Sequence, residues 1–96
     1  MPVLICKQIW FYSPGDERAF FGFAERIKGI RKIEGIRDEF HLHVSIRLSD
    51  ASLRDLLALF YRYKIAMRQL SQFETARNRA WFCDRQEYWF KKVFAD

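Results

Sequence analysis

The sequence predicts an α+β fold, a ferredoxin-like βαββαβ sandwich in which a four-stranded antiparallel sheet carries two helices on one face, with an added C-terminal helix. Three observations predict it. Residues 39–48 alternate strictly between apolar and polar side chains, as a half-buried strand does. Two segments, each opened by a serine able to cap, repeat apolar residues at helical spacing. The elements also follow one another in the order β-α-β-β-α-β-α.

The first strand is expected over residues 3–12, an apolar run rich in β-branched and aromatic side chains. The first helix begins at Ser13-Pro14-Gly15-Asp16-Glu17. Serine caps, proline suits the first helical position, and two acids sit where the helix dipole favours them. Phe20, Phe23, Ala24 and Ile27 form its buried stripe, and Gly29 is the expected stop.

Residues 30–36 and 39–48 read as a hairpin around Arg37-Asp38, with a bulge expected near Gly35. Phe40, Leu42, Val44, Ile46 and Leu48 face one way, and His41, His43, Ser45 and Arg47 the other. Ser49-Asp50-Ala51-Ser52 opens the second helix, whose stripe is Leu53, Leu56, Leu57 and Phe60. Continuing it to Phe73 would put Lys64 and Arg68 on the apolar face. The reading is therefore a stop near Tyr63 and a fourth strand over 66–73. Asp84 with Glu87 resembles a capping box ahead of a C-terminal helix carrying Tyr88, Trp89, Phe90, Val93 and Phe94. The whole reads as one domain, a core over 1–74 and a helical extension over 75–96.

Composition agrees with a packed domain: half the residues are hydrophobic, 30% are charged, and 18% are aromatic, with ten phenylalanines. A core of that kind needs no disulfide scaffold or metal. Cys6 and Cys83 are far apart and flanked by apolar residues, which reads as two buried free thiols. No stretch approaches the ~18 apolar residues of a membrane span, and the N-terminus has no secretory pattern, so a cytoplasmic protein is expected.

Signatures of catalysis are absent: there is no phosphate-binding glycine loop, G-x-S-x-G, H-E-x-x-H or C-x-x-C. His41 and His43 lie on one strand face roughly 7 Å apart, a spacing that suits two ligands of one metal. No third ligand is placed by spacing, so neither a metal nor another cofactor is expected. The charge layout is more informative. Residues 62–92 hold eight basic side chains against three acids, and the rest of the chain balances at nine against nine, so the whole net charge of +5 lies in that segment.

Two binding functions follow. The first is a protein–protein interaction module that self-associates as a homodimer, because Trp, Tyr and Arg dominate interface hot spots. Its anchors are Trp81, Arg85, Trp89 and Phe90. The alternative is a nucleic-acid-binding domain using His41, His43, Arg47, Arg68, Arg77, Arg79, Lys91 and Lys92, since cations meet phosphates and rings stack on bases. Trp10 and Tyr12 are the aromatics that the first strand offers to such a surface. The aromatic motif of RNA-recognition domains is missing from the third strand.

Overall fold

A computed structural model describes residues 1–95. Three strands, β1 (Val3–Lys7), β2 (Ile30–Ile36) and β3 (Glu39–Val44), form one antiparallel sheet in the order β1-β3-β2. Two long helices, α1 (Pro14–Arg26) and α2 (Asp50–Arg62), precede a 3₁₀ helix (Met67–Phe73) and two single turns, α3 (Arg79–Phe82) and α4 (Phe90–Val93). The fold is α+β, but the predicted four-stranded ferredoxin-like sandwich is not formed, because the fourth strand is replaced by the 3₁₀ helix.

The long helices begin where local chemistry places them. Ser13 Oγ accepts the Asp16 amide at 3.1 Å, and Ser49 Oγ accepts the Ser52 amide at 3.1 Å. α1 ends beside Gly29, whose φ of 105° suits glycine alone; a Cβ there would stand 2.5 Å from Leu48 Cδ2. α2 ends at Tyr63, and Lys64 turns the chain with a φ of 57°.

Strand lengths are set by pairing. β1 stops at Lys7, not at residue 12, because Lys7 pairs with Glu39, where β3 begins after the Arg37-Asp38 turn. Gln8, with a φ of 49°, then bends residues 8–12 away from the sheet. β3 likewise ends at Val44, next to the last residue matched by β1, and Ile46 is left exposed. The bulge lies between Ile30 and Lys32, not near Gly35.

Within the predicted strand 66–73, residues 67–73 instead form the 3₁₀ helix, and their apolar side chains recur every third position. Met67, Leu70 and Phe73 are buried, and three residues complete one 3₁₀ turn. The segment still serves the β1 edge through one side chain. Gln69 Oε1 accepts the Ile5 amide at 2.6 Å, and Gln69 Nε2 donates to the Ile5 carbonyl at 2.9 Å. A side-chain amide thus makes the two bonds that a neighbouring strand would make.

The predicted C-terminal helix is reduced to α4. Asp84 Oδ1 accepts the Gln86 amide at 2.9 Å in a local turn, and the Trp89 indole donates to the Phe82 carbonyl at 2.7 Å. These bonds fold the segment back against α3 rather than extending it. Asn78, itself buried, fixes the preceding bend: its side chain accepts from the Thr75 amide and donates to the Phe73 carbonyl.

The core is a single cluster. Leu4 and Cys6 of β1 and Leu42 and Val44 of β3 meet Phe20, Ala24 and the α2 leucines, while Leu70, Phe73, Phe82, Trp89 and Val93 continue it. α2 is buried on a wider arc than its four-residue stripe, because Leu59 is enclosed as well. No described helix is long and apolar enough to cross a membrane.

Candidate functional site

Most of the aromatic side chains have ring partners within the chain. Phe11, Phe20, Phe21, Phe40 and Tyr63 form one set of edge-to-face and tilted contacts with centroids 4.9–6.4 Å apart. Trp81, Phe82, Trp89 and Phe94 form a second. The four residues predicted to anchor a partner lie in this second region. Trp89 is only 2% exposed, Trp81 is half-buried beneath the Arg54 guanidinium at 4.1 Å, and Phe90 packs on Phe94 with Arg85 5.9 Å from its ring. The Trp81 indole N–H has no acceptor among the described residues.

The eight residues of the alternative surface are dispersed. His41 and His43 lie on the sheet face opposite the core, with Val3 and Ile5 of β1 and Lys32 and Glu34 of β2 as cross-strand neighbours. His41 Nε2 is 3.1 Å from Glu39 Oε1, and His43 Nε2 is 3.0 Å from Glu34 Oε1. The His43 bond and the nearby Lys32 ammonium hold the Glu34 carboxyl below the ordinary glutamate value. Each imidazole has a carboxylate partner, and no cluster of three metal-ligating side chains exists among the described residues.

Arg47 and Arg77 line a separate cleft beside the start of α2. Arg79 is tied to Glu74 at 2.6 Å, which lowers the Glu74 carboxyl and raises the guanidinium. Arg68 donates to the Ala95 carbonyl, Lys91 is exposed, and Lys92 lies 5.9 Å from the Tyr61 ring centroid.

Tertiary structure assembles a different group at the C-terminal end of α2. Residues 8–12, released from the sheet, project Trp10 and Tyr12, which are 73% and 82% exposed. Their rings meet edge to face at 6.4 Å. Both line a cleft of about 680 Å³ together with Asp16, Phe23, Arg62, Tyr63 and Lys64. The loop is held in place because the Tyr12 amide donates to Asp16 Oδ2 at 3.0 Å. Burial and the adjacent Asp16 carboxylate raise the Tyr63 phenol. Lys64 also borders two further clefts, one lined by Tyr61 and Lys92 and the other by Tyr61 and Tyr88. Tyr61 and Tyr88 are about half exposed, with centroids 4.8 Å apart.

Compared with known proteins, the chain matches no family model, no curated protein and no solved structure. The exposed rings of Trp10, Tyr12, Tyr61 and Tyr88 line these clefts together with the Arg62, Lys64 and Lys92 cations. Asp16 is the carboxylate of the largest of these clefts, and it is engaged by the Tyr12 amide. Such a surface offers flat apolar faces to planar groups and positive charge to anions. The apolar run over 3–12 predicts Trp10 and Tyr12 inside a strand, but β1 ends at Lys7. The signal that marks them as loop residues is that β3 is too short to pair with them.

Proposed function

We propose that the protein is a binding module for single-stranded nucleic acid, with its contact surface at the C-terminal end of α2. The observation that carries this reading is the pair of largely exposed rings, Trp10 and Tyr12, at the mouth of a cleft shared with Arg62 and Lys64. Leaving a tryptophan in water forfeits the burial that stabilises the rest of this aromatic-rich chain, and a stacking partner restores it. Bases stack on any ring face at about 1–3 kcal/mol each, and the adjacent cations meet the intervening phosphates. The net charge of +5 favours the encounter. Trp81, Trp89 and Phe90 already pack against neighbours within the chain, so they do not carry the reading.

Titration of a mixed-sequence single-stranded oligonucleotide, followed by tryptophan fluorescence at low salt, tests the proposal. Trp10 is the exposed tryptophan, so its emission is expected to be quenched on binding. Trp10→Ala is expected to weaken binding by about 10- to 100-fold, the equivalent of one lost stacking contact. The logarithm of affinity is expected to fall with that of salt by about 0.7 for each phosphate contacted, and Lys64→Gln to reduce that slope. Absence of quenching at low salt, or full binding by Trp10→Ala, would sink the proposal.

A further inference from the structure

The two edges of the sheet are treated differently. On β1, the outward amide and carbonyl of Ile5 are satisfied by Gln69. β2 has β3 as its only strand neighbour among the described residues, so its outer edge is an open template for another strand. Its outward groups can be assigned from two bonds. The Val44 amide donates to the Pro2 carbonyl on the β1 side, and the next amide, Ser45, donates to the Gly29 carbonyl on the β2 side. Alternation along β3 then turns His43, His41 and Glu39 toward β2. Their partners Lys32, Glu34 and Ile36 face inward, which leaves the N–H and C=O of Ile33 and Gly35 on the free edge.

The side chains of this edge are self-complementary. Lys32 and Glu34 flank Ile33 on the same sheet face, 3.5 Å apart at their charged ends. A two-fold axis through Ile33 pairs two β2 strands antiparallel. Lys32 then stands opposite Glu34 of the second copy, and Glu34 opposite its Lys32. The same axis lets Ile33 exchange a reciprocal pair of backbone hydrogen bonds with its counterpart and sets Arg31 against Gly35, where no side chain obstructs it. Centring the axis one residue later, at Glu34, would oppose two carboxylates and align backbone groups already bonded to β3.

We infer that the occupant of the β2 edge is a second copy of this chain, paired about Ile33 into a continuous six-stranded sheet of order β1-β3-β2-β2-β3-β1. The contact is isologous and closes on itself, so it gives a dimer and not a filament. It uses a surface separate from the α2 end and stands independently of nucleic-acid binding.

The test is the solution mass over a range of protein concentration, by light scattering or sedimentation. Wild type is expected to dimerise. Ile33→Pro removes an outward N–H without touching the β3 ladder, and a proline is tolerated on an edge strand, so a folded monomer is expected. Lys32→Glu makes the two facing positions 32 and 34 both acidic, and Glu34→Lys makes them both basic. Each variant alone is expected to be monomeric, and a one-to-one mixture to give the heterodimer. Circular dichroism establishes that each variant is folded. A wild type that stays monomeric, a dimer that survives Ile33→Pro, or a mixture that fails to associate would each overturn the inference.

Discussion

Cys6 shows how burial alone sets the chemistry of a side chain. It points from β1 into the core, is fully buried, and its thiol is pushed up from 9.0 to about 12 by loss of solvation. The reactive species is the thiolate, which is therefore scarce in the folded protein at neutral pH. Cys83 is half-buried and is also raised, first by burial and then by the Glu74 carboxylate. A disulfide-exchange reagent at pH 8 is expected to label Cys83 before Cys6, and Cys6 only on the timescale of unfolding. Equal, fast labelling of both thiols in the native protein would contradict this. The linkage has a definite sign. The folded thiol holds its proton more tightly than the unfolded one, so its contribution to stability is intact below pH 9 and declines between about 9 and 12.

The 3₁₀ helix is an element whose neighbour explains it better than its composition does. It stands where a fourth strand was expected and keeps one strand-like duty, the paired bonds from Gln69 to Ile5. Gln69→Ala would leave both Ile5 groups without their partner at a partly buried edge, at a cost of about 1–3 kcal/mol. Amide hydrogen exchange is expected to show faster exchange at Ile5 in this variant, with the β2–β3 hairpin unchanged. If Ile5 keeps its wild-type protection, the bidentate bond is not what protects this edge. The spacing of Met67, Leu70 and Phe73 was visible in the sequence, whereas the strand reading rested on where α2 had to stop. α2 stops near Tyr63, as the pattern predicts, because Lys64 and Arg68 cannot follow Leu57 and Phe60 into the core.

One core joins the sheet, both long helices and the C-terminal turns, so damage at its centre is expected to be felt throughout. Phe60, fully buried on α2, is the clearest probe. Phe60→Ala is expected to cost about 3–5 kcal/mol in urea denaturation, because surrounding side chains fill such a cavity incompletely. The loss is expected in one cooperative transition seen alike by tryptophan fluorescence and circular dichroism. Two separate transitions would mean that the C-terminal turns, which hold Trp81 and Trp89, fold independently of the sheet. The same packing fixes which rings face water. Trp89 is buried against Trp81 and donates its indole N–H to the Phe82 carbonyl of α3, while Trp10 is carried outside by a loop that has no strand to pair with.

Side chains a few residues apart in the sequence are enough for the capped starts of α1 and α2, the β2–β3 hairpin, the α2 stripe and the free, apolar setting of Cys6. Capping, dipole and periodicity act over that range. Phe23 of the predicted α1 stripe, by contrast, is only half-buried and lines the cleft beside Trp10. Contacts between distant segments set where β1 and β3 end, that residues 67–73 wind into a 3₁₀ helix, and which aromatic rings remain exposed. A strand extends only as far as its partner does. A ring is hidden only if distant parts of the chain meet over it, and neither condition is written in the local pattern.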